Sequence, residues 1–252
     1  TAVQNTTRTT QEVHGQIDAQ FAALSAREQA AVMSLAAVPG FQESNAAGTT
    51  SVFKGHSKVS HPNGAFSCNC FALEGSYAGQ RGLCVTTSRF NHSCLPNCSR
   101  YFVEDHKLMV IAAMQPIAVD EEMTISYNTA KIEDGLETFQ EFMRSTWGFV
   151  CSCPACRDPK IFSKLTQMHR MDAAMFEMGS SGRELEAYAI GEQLLRLYDE
   201  LSIGCAWQGR TYYDMFQMSV SRRATLPQAA ECARQALLMW QLRIGGSKKT
   251  PA

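Results

Sequence analysis

The 252-residue sequence contains no apolar run of about 18 residues, the length a helix needs to cross a bilayer, so it offers no membrane span. It also lacks a charge surplus. With 23 Lys plus Arg against 24 Asp plus Glu, the net charge is −1, which argues against a general nucleic-acid binder, since that needs a basic face. The opening TAVQNTTRTTQEV has neither the charged start nor the apolar centre of a signal peptide. Disorder is excluded by the opposite property, a 45% hydrophobic content against 19% charged, ample for one large core or two small ones. What the chain does have is ten cysteines. Without an export signal they read as reduced thiols inside the cell, in nucleus or cytoplasm, used for metal or packing rather than disulfides.

Along the chain, the Thr-rich first dozen residues show no periodicity and read as frayed. Helical spacing begins with Ile17, Phe21 and Leu24 and resumes with Ala30, Met33 and Leu35. Ser25 with Glu28 makes a capping box, and Pro39-Gly40 predicts a stop near Val38. Residues 40 to 64 read as loop. Short β-type runs follow at Phe66 to Leu73, Gly82 to Thr86, Arg100 to Glu104, Lys107 to Ala113 and Met123 to Tyr127, with Asp105-His106 as a tight turn. Helical periodicity returns from Leu136. After Asp158-Pro159 four helices are expected, near 161 to 178, 183 to 201, 208 to 222 and 227 to 243. They read equally as tetratricopeptide-like pairs or as a plain bundle. Ala229, Ala230, Ala233 and Ala236 would let the last helix approach a neighbour closely.

Chemistry is concentrated in WGFVCSCPACRDP. Cys151, Cys153 and Cys156 place three thiols within six residues, and Pro154 stiffens the turn between them. Three thiolates so spaced converge on one tetrahedral zinc, which in a structural site takes four ligands. The fourth must come from elsewhere, and spacing alone does not choose among Cys94, Cys98, Cys84 and His92.

Three motifs in order then resemble one family: Asn91-His92-Ser93-Cys94-Leu95-Pro96-Asn97, Glu121-Glu122-Met123-Thr124-Ile125-Ser126-Tyr127, and the C-x-C-x-x-C run. They are similar to the NHSCxPN, E-[LI]-T-x-x-Y and post-SET elements of the SET-domain protein lysine methyltransferases. The helices flanking them look most like the SET-and-MYND branch. The resemblance spans roughly residues 17 to 243, with the sharp motifs between 69 and 156. It implies an α+β SET fold of small sheets over residues 1–129 with a helical and loop insertion at 17–62, a zinc-bound post-SET segment at 130–158, and a helical extension at 159–252. It further implies Cys94 as the fourth ligand of a structural Zn2+ with Cys151, Cys153 and Cys156. S-adenosylmethionine would be contacted by Asn91, His92, Tyr127, the Phe149 ring stacked on adenine, and Asn69, whose Cys68-Asn69-Cys70-Phe71 setting resembles the family's C-N-S-F strand.

Tyr127 matches the tyrosine at the inner end of the family's lysine channel and is the expected catalytic residue. The acceptor in methyl transfer must be a neutral amine aimed at the sulfonium methyl. A phenol with pKa near 10 stays neutral at pH 7 and orients that amine without protonating it. The expected partner is a protein carrying the target lysine, histone or non-histone, with no nucleic acid and no membrane, and a further protein on the helical extension. Three features depart from the family. No glycine-bearing strand precedes residue 17, no MYND cysteine cluster is present, and Asp120 stands where the family has Gly. A start at Thr1 with no such strand reads as a fragment beginning inside the fold. A catalytically inert SET module serving as an interaction scaffold is the alternative function. A nucleic-acid-binding zinc module is disfavoured by the charge balance.

Overall fold

The computed structural model describes residues 2–4, 10–37, 60–220 and 223–243. The chain divides into two compact units: residues 1–91, 100–111 and 140–150 form the first, and residues 92–99, 112–139 and 151–252 the second. In the first, α1 (Thr10–Ala22) and α2 (Ala26–Met33) precede α3 (His61–Asn69). The Ser25 side chain accepts from the Glu28 N–H while the Glu28 carboxylate accepts from the Ser25 N–H, so the capping box closes in both directions. The apolar faces of these helices meet in two clusters. One is Val13, Ile17 and Phe66; the other is Val32, Leu35 and Ala65 with Phe21, Leu24, Leu83 and Val85 against it. Three short strands form an antiparallel sheet, with β3 (Gln80–Leu83) between β1 (Ala2–Gln4) and β2 (Cys70–Ala72).

The chain passes into the second unit at β4 (Asn91–His92), which pairs with β7 (Thr124–Ile125). The hairpin of β5 (Cys98–Val103) and β6 (Leu108–Ala113) has its tip in the first unit and its base in the second. Likewise α4 (Leu136–Trp147) begins in the second unit and ends in the first, where Gly148 at φ 77° stops it. After α5 (Pro154–Arg157), four helices follow: α6 (Pro159–Ser180), α7 (Glu184–Glu200), α8 (Cys205–Ser219) and α9 (Leu226–Arg243). Each packs on the next. Asp158 caps α6 by accepting from the Lys160 and Ile161 N–H groups, with Pro159 at the first helical position. Gly191 is needed for the α7–α8 approach, because a Cβ there would lie 2.7 Å from Met215 Cγ. Among the described residues, no helix is long and apolar enough to cross a membrane.

The helical half agrees with the periodicity to within three residues at each end. In the β half, β5 and β6 lie within two residues of the expected runs, and other parts depart from expectation. Residues 2–4, expected to be frayed, form β1. The expected loop to residue 64 and strand from Phe66 give way to α3 over 61–69, leaving only Cys70–Ala72 extended. Here Pro62 at the first turn and burial of Asn63, Gly64, Ala65 and Phe66 override the β tendency of the aromatic-rich run. The α2 helix ends at Met33 rather than near Val38, and the Pro39-Gly40 stop lies outside the described residues. The hairpin turn is a 3-10 turn at Glu104–His106 followed by Lys107 at φ 51°, not a two-residue loop.

Candidate active site and metal centre

Within the second unit, the Sγ atoms of Cys94, Cys151, Cys153 and Cys156 all lie within 4.8 Å of one another. Cys94 is 4.0 Å from Cys151 and 3.6 Å from Cys156. A tetrahedral zinc with Zn–S near 2.3 Å separates its sulfurs by about 3.8 Å, so the four thiols fit one ion. Cys94 and Cys151 are each 4% exposed, and Cys156 is half-buried. All ten cysteines are free thiols. The loop carrying Cys94 and the segment carrying the other three are 57 residues apart in sequence, and a shared ion ties them. Mutual hydrogen bonding among these thiols splits their acidities. Cys151 is pushed far down, chiefly by the Cys153 thiol, while Cys94 is pushed up, chiefly by Cys151. Of the other fourth-ligand candidates, Cys98 sits outside this group and burial raises its pKa, and Cys84 belongs to the first unit.

His92 is 8% exposed and lies against this cluster. Its Nδ1 accepts from the Tyr127 backbone N–H at 3.1 Å, and its Nε2 is 3.5 Å from Cys94 Sγ. The ring also packs on the Tyr127 ring, centroids 5.4 Å apart, and on fully buried Phe139 at 6.2 Å. Both imidazole nitrogens are thus engaged inside the protein.

Tyr127 follows β7 and is half-buried. Desolvation, and secondarily the Glu122 carboxylate, raise its pKa, so the phenol stays protonated through neutral pH. One residue earlier, the Ser126 hydroxyl is buried with no hydrogen-bond partner among the described residues. Such an atom calls for a water or a ligand group.

Asn97, the last residue of the first motif, is made by the fold into the link between two motifs. Its amide donates to Glu121 Oε1 at 3.0 Å and to the Glu122 carbonyl at 2.9 Å, while its Oδ1 accepts from the Thr124 N–H at 2.8 Å. Glu121 in turn accepts from the Ala118 N–H at 2.9 Å, the main cause of its lowered pKa. Asp120, in place of the family's Gly, adopts φ 65°. A left-handed residue is needed at this turn, and Asp tolerates that region better than most.

The remaining expected cofactor residues, Asn69, Asn91 and Phe149, belong to the first unit. Asn69 is the last residue of α3, and its amide donates to the carbonyls of Ala36 at 2.8 Å and Ala65 at 2.7 Å. Both amide hydrogens are thereby used on backbone. Asn91 is exposed in β4, and Phe149 is half-buried just after Gly148.

Residues 7–128 match the family model described as SET domain. The chain is 38% identical over 76 residues to the human protein-lysine N-trimethyltransferase SMYD5, covering 30% of this chain and 18% of that protein. It is 32% identical over 121 residues to the human protein-lysine N-methyltransferase SMYD4, covering 42% and 14%. It is 40% identical over 78 residues to the SET domain-containing protein SmydA-8, isoform A, of Drosophila melanogaster, covering 31% and 16%. The chain thus spans less than a fifth of the length of each of these three relatives.

Proposed function

We propose, from the premise that this chain carries a SET domain of the SMYD-like branch of the SET protein lysine methyltransferases, that it takes part in S-adenosylmethionine-dependent methyl transfer to the side-chain amine of a protein lysine. The observation that carries this reading is Tyr127: a half-buried phenol, kept protonated by its surroundings, with its backbone held on the ring of the motif histidine. A protonated phenol can accept a hydrogen bond from the incoming amine without giving it a full proton, so the lone pair stays available. Partial desolvation of the same position favours the uncharged lysine.

S-adenosylmethionine, when bound, supplies the electrophilic methyl on a positively charged sulfur. Asn91, His92, Tyr127 and Phe149 are the residues proposed to contact it, with Asn69 restricted to its carbonyl oxygen because its amide hydrogens are engaged. The orphaned Ser126 hydroxyl beside Tyr127 supports a polar ligand at this strand end. Zinc on Cys94, Cys151, Cys153 and Cys156 would be structural, holding the Cys151 segment on the Cys94 loop. The substrate is a protein bearing the target lysine.

The test is methyl transfer from tritium-labelled S-adenosylmethionine to a mixed protein substrate by the full chain, wild type against Tyr127→Phe. Removing one hydroxyl at constant ring volume should slow transfer by about tenfold or more, or change the number of methyls added, with cofactor affinity moved much less. Equal rates and products for both proteins would remove Tyr127 from the chemistry. No labelling by wild type would refute the activity for this chain.

A further inference from the structure

The Tyr127 N–H group donates to His92 Nδ1, so that nitrogen is an acceptor and carries no hydrogen. A neutral imidazole then has its hydrogen on Nε2, the atom 3.5 Å from Cys94 Sγ. One buried ring therefore faces a backbone donor at one nitrogen and a sulfur at the other. The direction of both bonds is settled by the first, because a backbone N–H can only donate. The sulfur must accept, and a sulfur accepts well as the thiolate it becomes on a metal. Packing against Phe139 and Tyr127 leaves the ring little freedom to turn away.

We infer that His92 is a positioning residue that couples metal loading of the four-cysteine cluster to the backbone setting of Tyr127. This rests on the metal reading of the cluster and not on methyl transfer. With its Nε2 on the cluster sulfurs and its Nδ1 on the Tyr127 N–H, the ring ties the backbone at Tyr127 to the position of the thiols that would hold the metal. The coupling is reciprocal: whatever holds the Tyr127 N–H on the ring also favours the loaded cluster. The metal then does more than pin two chain segments together, since fixing Cys94 also fixes the ring that holds the backbone N–H of Tyr127, the residue carrying the expected reactive phenol.

Two substitutions separate the two ends of the ring. His92→Asn keeps an acceptor near Nδ1 and loses the donor at Nε2; His92→Gln keeps a donor near Nε2 and loses the acceptor. The full chain is loaded with cobalt, whose thiolate charge-transfer band reports on the sulfurs, and with zinc for release to a chelator. For His92→Asn the band should shift and zinc should leave about tenfold faster or more, with the Tyr127 amide still protected from hydrogen exchange. For His92→Gln the band and release should stay near wild type while the Tyr127 amide exchanges faster. In wild type, nitrogen-15 shifts of the histidine ring should show hydrogen on Nε2 in the zinc-loaded protein, and zinc should slow exchange at Tyr127. If either variant fails to fold, these wild-type measurements decide alone. Hydrogen on Nδ1, or a cobalt band and release rate indifferent to His92→Asn, would overturn the coupling while leaving the metal site standing. Failure of wild type to take up cobalt or zinc would overturn both. Absence of methyl transfer touches none of these readouts.

Discussion

Two asparagines, each in a short motif, were met differently by the fold. Asn97 ends the Asn91–Asn97 loop, is 5% exposed, and spends its whole amide on Glu121, Glu122 and Thr124 of the next motif. Asn69 sits in the Cys68–Phe71 run and spends its amide on the carbonyls of Ala36 and Ala65, closing the end of α3. The first residue joins two parts of one site; the second completes a helix terminus that would otherwise leave carbonyls without partners. A motif whose members need one another, through a metal or through reciprocal hydrogen bonds, carries its geometry with it. A single residue recognised by its neighbours in sequence does not.

The sharpest way to test this contrast is at the cluster. Cys153→Ser should abolish stoichiometric zinc and lower stability by on the order of 5 kcal/mol or more, since the binding free energy of structural zinc, roughly 10–16 kcal/mol in small fingers, is folding free energy. Metal analysis and denaturant unfolding check it, and a variant with full zinc and unchanged stability would dissolve the cluster as a unit. Next in size, Asn97→Ala should cost about 2–4 kcal/mol, because it removes three hydrogen bonds and strands the Thr124 N–H group. Asn97→Asp should restore only the bond from the Thr124 N–H group, placing a carboxylate against Glu121 instead.

Asn69→Ala should cost about 1–2 kcal/mol, the value of two hydrogen bonds at a partly exposed site, with zinc content unchanged. If instead it leaves stability alone and weakens S-adenosylmethionine binding in calorimetry, Asn69 belongs with Asn97 and the contrast fails. The smallest effect is a gain. Asp120→Gly should stabilise by up to about 1 kcal/mol, by relieving a side chain held at φ 65°. A destabilised Asp120→Gly would mean that the Asp side chain makes a contact worth more than the backbone relief.

Much of the helical half was legible because its signals are local. The Ser25–Glu28 box and the Asp158-Pro159 start each act within one turn of backbone. The three-thiol cluster was legible for the same reason, since Cys151, Cys153 and Cys156 are covalently close. Residues 61–69 were not, because their helix depends on burying Ala65 and Phe66 against residues from α1 and α2. Short aromatic runs have no period long enough to tell strand from helix.

By itself, then, the sequence determined the apolar and charge balance, the helical extension and three of the four cluster thiols. Each follows from interactions over a few residues. Tertiary structure decided which distant thiol joined them, which nitrogen of His92 carries hydrogen, and which of two asparagines ties motifs together. Those outcomes depend on where chain segments tens of residues apart come to lie, and the cost of leaving a buried donor or acceptor unmet then allows only one assignment.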